Sequence, residues 1–133
     1  MNGFVLRRVV RTLFAMGLLS APTAVLADIR DYEFKLVREH VKKGQAIVDI
    51  RLIHKPEDRA VSDAVIFAVR LDMAPDDMEQ MTSAIEPVKS PEPGVYRFKV
   101  DLTDEGRWRV SLAAKIQGET ETLQSRLVLK ATP

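Results

Sequence analysis

The stretch Arg107–Gly118, RWRVSLAAKIQG, sets Trp108, Val110, Leu112, Ala114 and Ile116 on alternate positions with polar or small residues between them. Strict period-two alternation puts all five side chains on one face, which describes a half-buried β-strand and not a helix. The same pattern spreads outward from this segment. Downstream, ETLQSRLVLKA (Glu121–Ala131) aligns Leu123, Ser125, Leu127 and Leu129. Upstream, GVYRFKVDL (Gly94–Leu102) aligns Tyr96, Phe98, Val100 and Leu102, and DAVIFAVRLDM (Asp63–Met73) aligns Val65, Phe67, Val69 and Leu71. QAIVDIRLIH (Gln45–His54) aligns Ala46, Val48, Ile50 and Leu52, and YEFKLVRE (Tyr32–Glu39) mixes apolar with polar residues. These six strands, or seven with a short one near Ile85, each carry one apolar face. Two sheets must therefore cover each other, and the pattern predicts an all-β, immunoglobulin-like antiparallel β-sandwich with Trp108 as a core plug.

One segment departs from alternation. In LDMAPDDMEQMTSAIEPV (Leu71–Val88), Pro75 suits a first helical turn, Asp76, Asp77 and Glu79 complement a helix N-terminus, and Met78, Met81 and Ile85 recur at helical spacing. A short helical or irregular excursion is predicted near residues 74–84, closed by the three prolines of EPVKSPEPG.

The first 27 residues read differently. Arg7, Arg8 and Arg11 precede an apolar run from Leu13 to Leu19, Pro22 follows, and Val25-Leu26-Ala27 offers small residues at a cleavage site. This is the pattern of a secretory signal peptide cut before Asp28, leaving one domain over residues 28–133. The run is shorter than the roughly 20 residues a bilayer requires, so an uncleaved membrane anchor is the lesser alternative, and no span is expected in the mature chain. The 20 basic residues include the three signal arginines and face 19 acids, so cleavage takes the net charge from +1 to −2. Such a balance carries no footprint for nucleic acid. The chain has no cysteine, which removes disulfides, thiolate metal sites and thiol chemistry. A periplasmic location suits an exported, disulfide-free domain.

Catalytic patterns are sparse. No serine lies in a G-x-S-x-G elbow, no glycine-rich loop precedes a helix, and the acids at Asp72–Glu79 lack calcium-loop spacing. The two imidazoles are His40 and His54. A hairpin turning at Lys42–Gly44 puts His40 beside the turn and His54 near Tyr32, about 25 Å apart at ~3.3 Å per residue, as two solvated strand-end residues. An enzyme is not expected. Met73, Met78 and Met81 form the remaining cluster. Thioethers are soft ligands that select Cu(I), yet methionine also fills irregular gaps in a core, and spacing alone leaves both readings open.

From about Val61 to Leu129 the chain resembles the YtkA-like family, which overlaps the FixH-like proteins. The resemblance rests on an M-P-x-M-like segment at Met73–Met78, P-G-x-Y at Pro93–Tyr96, and an L-T-M-x-G-x-W-like element at Leu102–Trp108. It implies a small exported accessory β-sandwich associated with copper and heavy-metal homeostasis or delivery. Met73, Met78 and Met81 would then be the metal ligands, copper the cofactor, and a periplasmic or membrane metal-handling protein the partner. Two departures bear on that implication. Ala74, Asp76 and Asp77 loosen the first element, and Asp104 stands where the family usually has Met. A hard carboxylate there weakens a soft Cu(I) site and equally allows retuning toward Cu(II) or loss of metal binding, which motivates the alternative: a metal-free protein-interaction or structural module of a periplasmic assembly.

Overall fold

The computed structural model describes residues 28–133; the export signal read at residues 1–27, with its cleavage site, lies outside the described residues. The chain forms ten strands: β1 (Tyr32–Leu36), β2 (His40–Lys42), β3 (Gly44–His54), β4 (Arg59–Ala60), β5 (Val65–Met73), β6 (Met78–Ser83), β7 (Ile85–Val88), β8 (Val95–Leu102), β9 (Gly106–Lys115) and β10 (Thr122–Thr132). Seven of them are the strands read from alternation, including the short one at Ile85; β2, β4 and β6 are additional. One sheet has the order β1-β3-β8-β7, with β4 paired to the end of β3, and the other the order β2-β10-β9-β5-β6. The two sheets face each other as a β-sandwich of immunoglobulin-like type. Among the described residues no helix is long and apolar enough to cross a membrane.

The alternating residues meet between the sheets. Phe34, Ile50, Leu52, Phe98 and Leu102 come from one side, and Leu71, Trp108, Val110, Ala114 and Leu129 from the other. Trp108 is fully buried, and its indole N–H donates to the Asp104 carbonyl oxygen at 3.0 Å. A buried indole requires such a partner, so the plug also fixes the turn before β9.

Three details differ from the sequence reading. First, β1 pairs with β3 from Tyr32↔His54 to Leu36↔Ile50, but no hairpin turns at Lys42–Gly44. The chain leaves β1 at Leu36 and crosses to the other sheet, where β2 runs parallel to β10 and covers its edge. His40 is exposed on that outer strand. His54 is near Tyr32 as expected, with ring centroids 4.9 Å apart, but its side chain is only 13% exposed and its Nδ1 lies 3.6 Å from Glu57. His54 is therefore packed and not solvated.

Second, β5 does not keep one face inward. Ile66 pairs with Ala114 and Ala68 with Ala113, leaving Phe67 as an extra bulged residue. A bulge shifts the period-two count by one. Ile66 thus packs against the core before the bulge and Val69 and Leu71 after it, while Val65 and Phe67 are exposed.

Third, the excursion after β5 is a single 3-10 turn, Ala74–Asp76, with Pro75 in its first turn and Asp77 closing it in the left-handed region at φ 58°. The chain beyond is extended, so Met78 and Met81 lie on strand β6 and not on a helical face. Pro87, grouped with the prolines that interrupt regular structure, sits in β7. That strand is an edge of its sheet, where a missing N–H is tolerated.

Candidate functional site at the Met73–Asp76 turn

The turn that joins β5 to β6 docks onto the start of β9. Asp76 accepts hydrogen bonds from the Arg107 backbone N–H and from its Nε, both at 2.8 Å. Arg107 Nη2 also donates to the Pro75 carbonyl at 2.6 Å. Gly106 permits this approach. A Cβ at its position would stand 2.5 Å from Asp76 Oδ2 and 2.9 Å from Met73 Cε, and its φ of +128° is one that L side chains rarely adopt. The Arg107 N–H and guanidinium hold the Asp76 carboxyl below the usual carboxylate range.

Behind the turn lies a carboxylate that alternation did not single out. Asp72 is fully buried. It accepts from Arg70 Nε at 3.0 Å, Arg109 Nη2 at 3.0 Å and the Ala74 backbone N–H at 2.9 Å. Burial pushes its pKa up, but Arg109, the Ala74 N–H and Arg70 outweigh burial and hold the carboxyl below its ordinary value. Arg109 lies 3.6 Å from Glu79, and Arg70 Nη2 donates to the Glu79 carbonyl at 3.1 Å. The arginines therefore tie β6 to the sheet where its backbone register with β5 breaks. In sequence Asp72 looked like one acid among several near a turn. The signal that could have found it was its position opposite Arg109 in a β5–β9 pairing.

The three sequence-predicted metal ligands occupy two environments. Met73 is fully buried in the core beneath Gly106. Met78 and Met81 are 40% and 37% exposed on β6, and Met78 is the register partner of Met73. Asp104 is exposed, accepts from its neighbour Thr103 Oγ1 at 3.1 Å, and contributes its carbonyl to Trp108. Among the described residues no group of three His, Cys, Asp or Glu side chains is placed to hold a metal ion. The fit to copper is poor at this turn. The Met73 thioether is sealed in the core, and the carboxylates of Asp72 and Asp76 are engaged by arginines.

The remaining quoted motif frames the other end of β5. Tyr96 Oη donates to the Val61 carbonyl at 2.8 Å and accepts from the Ala64 backbone N–H at 3.1 Å. Gly94, at φ +83°, lies so close to Ala60 that a Cβ would stand 2.6 Å from the alanine Cβ. P-G-x-Y thus pins the crossover that enters β5, and the M-P and G-x-W elements together pin the turn that leaves it.

Two solved structures resemble the chain at low identity. The Lin-41 filamin domain is 12% identical, with 77% of this chain and 92% of that chain covered at a TM-score of 0.44. The ZirS C-terminal domain is 10% identical, with 80% and 68% covered at a TM-score of 0.47. Curated proteins give no match. The YtkA-like family model matches residues 26–113, and the chain belongs to the YtkA-like family.

Proposed function

We propose that this chain is an exported, non-enzymatic accessory module of the YtkA-like type that binds another protein without a metal. The observation behind this reading is how the Met73–Asp76 turn uses its donors. Asp72 and Asp76 are neutralised by Arg70, Arg109 and Arg107, and Met73 is packed under Gly106, so the segment serves to close the fold. A periplasmic site of action follows from the signal read at residues 1–27. Cu(I) titration of the purified protein against a competing chelator tests the metal-free reading. The triple variant Met73→Leu, Met78→Leu, Met81→Leu keeps side-chain volume, and each exchange costs under about 1.5 kcal/mol. Its Cu(I) affinity is expected to equal the parent's. A fall of about tenfold or more on replacement, roughly 1.4 kcal/mol, overturns the reading.

A second reading keeps copper and rests on Met78 and Met81, whose thioethers are exposed on one strand. Soft ligands at a surface suit Cu(I) delivery to a metal-handling partner. The same titration separates the two: only this reading requires Met78→Leu and Met81→Leu to weaken binding while Met73→Leu does not.

A further inference from the structure

The outer face of the β2-β10-β9-β5-β6 sheet is one-sided in charge across its first three strands. Burial alternates along β9 and β10, so Arg107, Arg109 and Lys115 point outward from one and Arg126 and Lys130 from the other. Lys42 points the same way from β2, whose Val41 packs on the core. These strands hold six of the chain's 20 basic residues, all of them outward, and none of its 19 acids. Glu39, Glu105 and Glu121 lie only in the connections that enter them. From the β5–β6 side Asp76 pairs with Arg107, and Asp72 and Glu79 with Arg109. Lys42, Lys115, Arg126 and Lys130 have no ion pair among the described residues. The outer face of the other sheet is built differently. There the signs alternate along each strand, Glu33 with Lys35, Asp49 with Arg51 and Lys99 with Asp101, and Asp49 also pairs with Arg97. Mixed signs suit a solvated surface, whereas a single-signed field steers a partner of the opposite sign.

We propose that the outer face of β2, β10 and β9 docks an acidic surface segment of a partner protein, whose Asp and Glu side chains reach Arg126, Lys130 and Lys115. The relief of the face separates this partner from other anionic surfaces. Lys130 stands beside Arg107, and Arg126 beside Ser111. Next to that row the small side chains of Ala68, Ser111 and Ala113 floor an open trough of about 660 Å³, with Gln124 and Arg126 along its β10 side. A protruding protein segment fills such a trough and offers acceptors to Ser111, Gln124 and Arg126. A planar bilayer does not enter it. The exposed large apolar side chain on these three strands is Val128, where an interfacial protein presents Trp, Phe or Leu to the acyl chains. Four unpaired cations alone would hold the chain on anionic lipid only at about millimolar strength. A second copy of this chain would set two basic faces together, and like-charge juxtaposition is costly.

This inference rests on the protein-binding reading and is tested apart from it. The probe is a capped oligoglutamate peptide of about eight residues, the length of an ordinary strand. Added to the full protein, it is expected to shift the amide NMR signals of β9 and β10, and its binding is expected to weaken as salt screens exposed charges. Two double variants make the same change in net charge on opposite faces. Arg126→Glu with Lys130→Glu leaves the arginines that clamp Asp72 and Asp76 in place, and is expected to weaken the peptide about tenfold or more. Arg51→Glu with Lys99→Glu, on the other sheet, is expected to weaken it by less than about threefold, because charges beyond a Debye length are screened. All four side chains are exposed, so both proteins are expected to fold. Equal loss in the two variants, shifts confined to another face, absence of binding, or tighter binding to phosphatidylglycerol vesicles than to the peptide overturns the proposal. Any of these outcomes leaves the Cu(I) titration, and with it the metal-free reading, untouched.

Discussion

The two halves of β5 have opposite fates. At Leu71 and Asp72 the strand is paired on both sides, Met73 is paired with Met78 of β6, and all three residues are buried, Asp72 included. At Val65–Arg70 it is paired on one side only, and Val65, Phe67, Ala68 and Arg70 are exposed. One strand is thus anchored at its ends by Tyr96 and by the Arg107 clamp, while its middle keeps an open edge. The difference shows that a clamped end and an unpaired edge lie on adjacent residues of a single element. The quoted family motifs fall on the anchored ends and not on the open middle.

Breaking the closed half is expected to cost most. Asp72→Ala removes a fully buried carboxylate and leaves Arg109 only Glu79, 3.6 Å away, at about 3 kcal/mol. That is the low end for a broken buried pair, because Arg70 is half exposed and turns to water. Urea denaturation measures it. The same carboxylate contributes to the acid limit, beside Asp76 and Asp49. Its folded pKa lies below the unfolded value of about 3.9, so its contribution is complete above that value and is lost as pH falls through the folded pKa. Stability is therefore expected to be flat near neutrality and to decline below about pH 4, with a shallower decline in Asp72→Asn. Met73→Ala is expected to cost about 2–3 kcal/mol through the cavity it leaves in the core. Gly106→Ala forces a strained φ and pushes on Asp76 and Met73, for about 2 kcal/mol. In the open half, Phe67→Ala is expected to change stability by less than about 0.5 kcal/mol, since the ring is exposed. A large loss at Phe67 would erase the contrast.

The sandwich was legible because alternation repeats in six long segments, and Trp108, Val110 and Leu112 are buried where the pattern puts them. The bulge was not, because a period-two count assumes a straight strand, and one extra residue at Phe67 moved the inward positions from odd to even before it. β2 and β4 contain three and two residues, too few for any period. The site was legible in part. Met73 stood out by residue type, but spacing carried no information on whether its sulfur faced solvent or core. Asp72 escaped notice because its environment is made by Arg109, 37 residues away in the chain.

The most direct test is native-state hydrogen exchange resolved along β5 in the free protein. Amides of Leu71–Met73 are expected to exchange only with global unfolding, whereas those in Val65–Arg70 that point to the open edge exchange without it. Uniform global protection across Val65–Met73 would contradict the account.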